Sequence, residues 1–418
     1  MKFHKTILTL LVAMLAVIGT TATVVHGQQA GDATEMPDVA APEINDPISA
    51  AELEDLKAVA SQYGISLQAA MDRYGWNDNF GLAVAKIREA APDAFTGAEI
   101  VDASNAWVAF AGEAPQAALD IIGAFRSSHS GVSVEVRTDK GFTEVELEKA
   151  IEAAHFAVFN ATEVRDTSTT FDYATGEIKA VVVLANSTSG SALDDLRAVA
   201  ETNSANSTRA DILNNITISV VRSDHDILGG SDSSTEHLGG EALSPNCTFG
   251  FGTKSSSGVR GIATAGHCPN LLTDDGASLT FKAEHVDTYG DFQWYTGSQT
   301  ETDDFYAGNT VSVEVNRRDV SAVESPTVGQ MLCRNGKKTF RRCQKVRKLN
   351  VCVGSMCNLV QMGARRAKSG DSGGPVFKGN TAYGLHQGWM DDPWPFKRDL
   401  FSRADQIYNA LGTHIATD

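Results

Sequence analysis

Near its amino terminus the chain carries an apolar run from Ile7 to Ile18, preceded by Lys2, His4 and Lys5 and followed by the small residues Thr20, Thr21, Ala22 and Gly27. A spanning helix needs ~20 apolar residues and this run is much shorter, so the pattern predicts a secretion leader over residues 1–27 rather than a membrane anchor. After a Pro/Asp/Glu-rich lead from Met36 to Asp46, apolar positions recur at helical spacing over residues 48–63, 66–74 and 80–91, with Ser49 and Ser66 placed as caps. Two short strands around Asn105 (residues 98–103 and 106–111) and a helix over residues 116–125 follow. From Gly131 the pattern gives a strand at 132–136, a helix at 143–159, a hairpin of 163–171 with 177–184 across Ala174-Thr175-Gly176, a helix at 191–201 and a strand at 216–222. That β-α-β-β-α-β order predicts a ferredoxin-like unit of the split βαβ type. Residues 223–245 carry Gly-Gly twice, several serines and acids and little apolar content, which marks a linker.

These breaks divide the chain into a leader (1–27), a helical and hairpin part (28–130), a ferredoxin-like α+β part (131–222), a linker with a processing site (223–236) and a last domain (237–418). The total of 418 residues agrees with several domains, and 42% hydrophobic against 21% charged residues is a globular composition. A net charge of −17 argues against a nucleic-acid binder. The charge is unevenly shared: from Gly240 onward there are 20 Lys and Arg against 18 Asp and Glu, which leaves 15 against 34 before it. The cysteines are equally one-sided, since Cys247, Cys268, Cys333, Cys343, Cys352 and Cys357 all lie in the second half. An even count without C-x-x-C pairs argues against structural zinc and for disulfides, whose oxidising compartment the leader supplies.

Chemistry concentrates in Gly370-Asp371-Ser372-Gly373-Gly374-Pro375. A serine hydroxyl is a poor nucleophile unless a base takes its proton, and its attack on a carbonyl builds an oxyanion that needs fixed donors. The flanking glycines allow a tight turn in which the amides of Gly370 and Ser372 can point at one oxygen. The base is read as His267, in Ala263-Thr264-Ala265-Gly266-His267-Cys268. A third residue must orient the imidazole and stabilise its cation; Asp291, leading the strand-like Phe292-Gln293-Trp294-Tyr295, fits better than Asp287, Asp303 or Asp304. Asp371 is read as structural, orienting the turn. The chain order also separates this reading from an α/β-hydrolase esterase, whose acid and histidine follow the G-x-S-x-G serine. A binding protein on a dead protease scaffold normally lacks one of the three groups.

With these motifs in place, residues 237–418 resemble a chymotrypsin-family serine protease, most closely the streptogrisin and α-lytic protease branch. The resemblance implies an all-β domain of two six-stranded antiparallel barrels with the triad in the cleft between them. Cys247-Thr248-Phe249-Gly250-Phe251 resembles the strand of that branch's first disulfide, with Cys268 beside His267 as partner. Cys333-Arg334-Asn335-Gly336 with Cys343 resembles its second. The branch's third bridge, beside the specificity pocket, has no counterpart, and Cys352 with Cys357 is expected to close a small local loop instead.

Members of the branch are made with a large amino-terminal pro-region that assists folding and inhibits the protease, which is the role the resemblance implies for the acidic, cysteine-free first half. Leu238-Gly239-Gly240-Glu241 resembles a mature start and puts the cut near Glu236-His237. Gly384-Leu385-His386-Gln387-Gly388 resembles the Gly-Ile-His segment with which glutamate-specific relatives bind the substrate carboxylate. With Arg365, Arg366 and Lys368 close in sequence, it suggests a preference for Glu or Asp before the cut; His386, Gln387, Gly388 and Arg366 are the expected substrate contacts. The basic run from Arg334 to Lys348 is either a solvated face or the place where the acidic first half docks. The resulting expectation is a secreted, extracellular serine endopeptidase precursor, monomeric when mature. Its partners are protein or peptide substrates and its own pro-region, with no nucleic acid, membrane, metal or organic cofactor.

Overall fold

A computed structural model describes residues 47–185, 191–223, 242–274, 277–297, 302–308, 317–392 and 396–417. The leader and the expected cut at Glu236-His237 lie outside the described residues.

The first half starts with three helices. Helix α1 (Ala50–Tyr63) is opened by a capping box of Ser49 with Glu52 and closed at Gly64, whose φ of 64° few other residues adopt. Helix α2 (Leu67–Tyr74) is capped by Ser66, and α3 (Asn77–Ala90) follows. Strands β1 (Phe95–Ile100) and β2 (Asn105–Phe110) form an antiparallel hairpin; after α4 (Gln116–Ser128), β3 (Ser133–Arg137) adds to β2 in parallel. Phe80, Ile87, Phe95, Phe110, Ile122 and Phe125 fill the core between this sheet and its helices. Next come α5 (Glu144–Phe159), β4 (Val164–Asp172), β5 (Glu177–Leu184), α6 (Ser191–Ser207) and β6 (Thr217–Arg222).

The order of these elements is the expected one, but their pairing corrects the ferredoxin-like reading. In that unit the strand before the first helix lies between the third and fourth strands. Here β5 pairs directly with β6, in parallel, and β3 belongs to the sheet β1-β2-β3 instead. The physical reason lies in β2, which is buried along Ala106–Phe110 and has β1 on one edge only. β3 satisfies the other edge, while β6 satisfies β5. Element order alone does not say which edges meet.

The second half is almost entirely antiparallel β. Strands β7 (Ala242–Leu243) and β8 (Cys247–Thr248) pair, as do β11 (Thr273–Asp274) and β12 (Ala277–Ser278). A five-stranded sheet runs β13-β14-β10-β9-β24, from β9 (Phe251–Ser255), β10 (Arg260–Thr264), β13 (Thr280–Asp287), β14 (Gly290–Thr296) and the C-terminal β24 (Thr413–Ile415). After the pair β15 (Asp304–Tyr306) and β16 (Arg317–Asp319) comes β17 (Ala322–Val323), which lies beside the start of β22. Then follow β18 (Met331–Arg334), β19 (Arg342–Val353), β20 (Met356–Ala364), β21 (Pro375–Lys378), β22 (Thr381–Asp391) and β23 (Lys397–Arg403). These six close into a ring, β18-β21-β22-β23-β20-β19, because β19 returns to β18 in register at Cys343↔Cys333. A short helix, α7 (Ile407–Leu411), leads to β24. Disulfides join Cys247 to Cys268, Cys333 to Cys343 and Cys352 to Cys357.

The two halves share a sheet. The far edge of β19 pairs with β4 at Cys352↔Thr169 and Val353↔Ser168, so the ring continues into β4, β5 and β6. The buried His155 of α5 bridges Thr169 Oγ1 at 2.9 Å and the Gly354 carbonyl at 2.7 Å. No helix of the described residues is long and apolar enough to cross a membrane.

Candidate active site

His267 sits on the turn that follows β10, with Cys268 fastened to Cys247 at the end of the neighbouring β8. Asp291, the second residue of β14, is 1% exposed. Its Oδ2 lies 2.6 Å from His267 Nδ1, its Oδ1 accepts the His267 amide at 2.8 Å, and its own amide donates to Ser402 Oγ at 3.0 Å. A side chain at Gly266 would lie 2.8 Å from Asp291 Oδ1 and from the Phe292 amide nitrogen, so only glycine lets the turn approach the acid this closely. The imidazole side chain keeps 34% of its surface exposed. Its burial disfavours the cation, but the charge and hydrogen bond of Asp291 outweigh that and hold its pKa above the ordinary histidine value. With Nδ1 turned to Asp291, Nε2 is the nitrogen left to handle a proton.

The turn carrying Ser372 is fixed from below by Asp371. Asp371 Oδ1 accepts the amides of Lys338 and Thr339 at 2.9 and 3.2 Å. Its Oδ2 accepts Thr339 Oγ1 at 2.7 Å, the Lys368 amide at 2.8 Å and Arg334 Nη1 at 3.4 Å. Gly370 and Gly373 take φ of 99° and 89°, and among the described residues no acceptor meets the amides of Gly370 and Ser372. β8 ties this turn to the histidine loop: the Thr248 amide donates to the Ser372 carbonyl at 2.7 Å, Thr248 Oγ1 donates to the Gly370 carbonyl at 2.6 Å, and Thr264 Oγ1 donates to the Thr248 carbonyl at 2.8 Å. A Cβ on Gly373 would stand 2.0 Å from Thr264 Oγ1 and 3.0 Å from the Ala265 nitrogen, which shows how closely the two turns pack. The Ser372 hydroxyl donates to the Gln387 carbonyl at 3.3 Å and not to His267. Asp291 and His267 are therefore joined directly, and the turn of Ser372 packs on the histidine loop with its hydroxyl directed to β22.

Of the expected substrate contacts, three lie together on β22. His386 is buried, its amide donates to the Gly374 carbonyl at 2.8 Å and its carbonyl accepts the Gly373 amide at 2.7 Å. Burial, reinforced by the nearby Arg334 cation, pushes its pKa well below the ordinary value, so the ring is neutral at neutral pH, and Nδ1 has no partner. Gln387 supplies the carbonyl that holds Ser372, and its Nε2 lies 3.8 Å from Met356 Sδ. A Cβ on Gly388 would meet nothing within 4 Å, so β22 faces open space there. Arg366 stands apart from this group: its side chain is exposed and its amide donates to Asp399 Oδ2 at 2.9 Å. The neighbouring Arg365 stacks its guanidinium 3.4 Å over the Trp389 ring.

Arg334 is the residue whose place the sequence conceals. It stands in a basic run, yet its side chain is completely buried, between Thr339 and Asp371 on one side and Asp399 Oδ2, 3.7 Å from Nε, on the other. Its Nε and Nη2 have no hydrogen-bond partner. It ends β18 (Met331–Arg334), all four of whose residues are buried, so the apolar run Met331-Leu332-Cys333 directly before it is the signal of an interior position.

No family model matches the chain. It is similar to a protein named serine protease 2 from Streptomyces fradiae, 30% identical over 165 residues, covering 36% of this chain and 92% of that protein. It is similar to glutamyl endopeptidase 2 from Streptomyces griseus, 31% identical over 167 residues, covering 36% of this chain and 84% of that protein. Streptogrisin-A from Streptomyces griseus is 31% identical over 159 residues, which are 36% of this chain and 51% of that protein.

Proposed function

Because the chain belongs to the chymotrypsin family of serine proteases, in the streptogrisin branch, we propose that it is the precursor of a secreted serine endopeptidase with Ser372, His267 and Asp291 as its triad. The observation that carries this reading is the Asp291–His267 pair, held 2.6 Å apart and packed against the turn of Ser372. We read the six-stranded ring as one of the two expected barrels and the five-stranded sheet, one strand short of the expected six and with no closing pair among the described residues, as the other.

In the reaction, the Ser372 hydroxyl rotates from the Gln387 carbonyl to His267 Nε2, which takes its proton as Oγ attacks the substrate carbonyl. Asp291 stabilises the resulting imidazolium, and the unmatched amides of Gly370 and Ser372 receive the oxyanion. His267 returns the proton to the leaving amine, and a water activated the same way releases the acyl group. Asp371 forms no part of these steps; it sets the turn.

The pocket is read as selecting Glu or Asp before the cut. Support comes from the Arg334 cation beside His386, with its Nε and Nη2 donors unmatched, and from similarity to a glutamyl endopeptidase. A buried substrate carboxylate is costly unless such donors meet it. The first half, docked on β19 and on the outer loops, is the pro-region, and the cut lies near Glu236-His237.

Two measurements test the reading. Secreted wild-type chain is expected to yield a fragment beginning near His237, and the Ser372→Ala chain to remain whole; an identical fragment from both removes self-processing. In a peptide panel, cleavage after Glu is expected to be fastest, and faster cleavage after Phe or Ala removes the preference for acidic residues.

A further inference from the structure

One carboxylate of the first half is held by the second half far more completely than any other. Asp55, on α1, is 2% exposed. Its two oxygens receive Arg318 Nη1 at 3.1 and 3.0 Å, Arg341 Nη1 at 3.0 Å and the Gly379 amide at 2.8 Å. These donors come from three separate places in the second half: Arg318 from β16, Arg341 from the residue before β19, and Gly379 from the turn between β21 and β22. Arg318 is fixed independently, by donating to the Gly379 carbonyl at 3.0 Å and by lying over the Phe377 ring at 5.6 Å. A Cβ on Gly379 would stand 2.9 Å from Glu52 Cγ, so glycine there admits the helix. The neighbouring acids repeat the match on a smaller scale, with Glu54 3.1 Å from Arg318 Nη2 and Glu52 3.9 Å from Lys378 Nζ.

Two buried guanidinium groups and a backbone amide converging on one point make a receptor for a carboxylate. The Nε of Arg341 has no partner even with Asp55 in place. Without Asp55, Arg341 is left with no anion and Arg318 with the half-exposed Glu54 alone, which is strongly unfavourable while α1 keeps both guanidinium groups buried. We propose that Arg318, Arg341 and the Gly379 amide form a carboxylate socket on the second half, filled by Asp55 in the uncut chain and opened to the carboxylates of acidic peptides when the first half leaves. The second clause rests on the maturation described under the proposed function; the first does not. The preferred occupant is an acidic peptide rather than a lone small anion, because three acids of one helix meet three cations here.

The socket is tested in the full chain carrying Ser372→Ala, so that it stays whole. Asp55→Ala is expected to lower the melting temperature, and sodium acetate to restore it saturably where sodium chloride of equal ionic strength does not. Acetate acting no differently from chloride, or restoring Asp55→Ala/Arg341→Ala equally well, overturns the socket. Should Asp55→Ala fail to be secreted, the isosteric Asp55→Asn is combined with Arg341→Gln: coupling of tenfold or more in the unfolding constant supports the socket, and additive effects overturn it. For the second clause, a fluorescent peptide of residues 49–64 is added to the processed wild-type product after its Ser372 has been blocked with a serine-acylating reagent. Binding at least tenfold tighter than to the Arg341→Ala product is expected, and equal binding overturns the clause. A chain that is never processed removes the maturation reading and this clause with it, while the acetate experiment still decides the socket.

Discussion

Asp371→Asn is the sharpest test of how the nucleophile turn is held. The change keeps the side chain's volume and turns one acceptor oxygen into an amino group. If the amino group takes the place of Oδ1, it faces the amides of Lys338 and Thr339; if it takes the place of Oδ2, it faces the Lys368 amide and Arg334 Nη1. In both orientations donor meets donor twice, at a site with no exposed surface. Each lost hydrogen bond to a charged group is worth about 1.5–3 kcal/mol. Arg334 also loses its nearest countercharge, keeping only Asp399. The expected loss is about 3–5 kcal/mol, the range for breaking one side of a buried ion pair. It is read from guanidinium unfolding of the full chain on a Ser372→Ala background, followed by tryptophan fluorescence. Arg334→Met removes the cation but leaves Asp371 with four other donors. The double variant should therefore fall short of the summed losses by about 1–3 kcal/mol. A loss below about 1 kcal/mol for Asp371→Asn, or strict additivity in the double variant, refutes the reasoning.

Three further outcomes follow from the same geometry. Asp291→Asn is expected to lower kcat by about four orders of magnitude, the size of loss when the orienting acid of such a triad becomes an amide. It should also move the acidic limb of the pH profile down, because the Asp291 charge no longer offsets the burial of His267; a limb that stays or rises contradicts this. Asp78 is pushed up from 3.8 to about 7 by burial, with Lys378 pulling down and Glu52 adding to the rise. Its contribution to stability is full below about 4 and is lost as pH rises through about 7, so melting temperatures of the uncut chain should fall across that window and Asp78→Asn should flatten the fall. An unchanged slope in that variant assigns the fall to other groups. Replacing Cys352 and Cys357 by alanine is expected to cost about 2 kcal/mol, from the closure entropy of so short a loop. It should also speed hydrogen exchange at Gly354, whose amide donates to Thr167 at 3.0 Å; unaltered exchange there shows that the bridge does not support the docking edge.

Local features were the legible ones. The caps at Ser49 and Ser66 and the helices they start depend on a few neighbouring residues, so the sequence displays them directly. The hairpin of β4 and β5 turns at Gly176, where φ is 69°, for the same reason. In the candidate site, Ser372 and His267 stand in short motifs whose glycines serve close approach: Gly266 that of Asp291, Gly373 that of Thr264. What periodicity could not express was choice of partner. Nothing in residues 133–137 distinguishes a strand that enters the β4-β5-β6 sheet from one that joins β2, because both edges accept the same alternation. Arg334 escaped for a related reason: a basic residue among basic residues reads as surface, and only its three-dimensional position between Asp371 and Asp399 makes it interior.

The imbalance of charge between the halves pointed in the right direction but on the wrong scale. Long-range attraction between an acidic and a mildly basic surface is screened over about 10 Å at ordinary salt and gives no register. The contacts that set register are few and buried: Asp55 with Arg318 and Arg341, Asp78 with Lys378 at 2.6 Å, and Glu148 with Arg403 at 3.1 Å. Arg318, Arg341, Lys378 and Arg403 are each nine-tenths or more buried in the assembled chain, and every one of them meets a carboxylate from the first half. A second half folding alone keeps Asp405 beside Arg403 at 2.7 Å, but would have to solvate Arg318, Arg341 and Lys378 or find other anions for them. The first half therefore contributes more than a covering sheet at β19: it supplies the partners that allow Arg318, Arg341 and Lys378 to stay where the fold has put them.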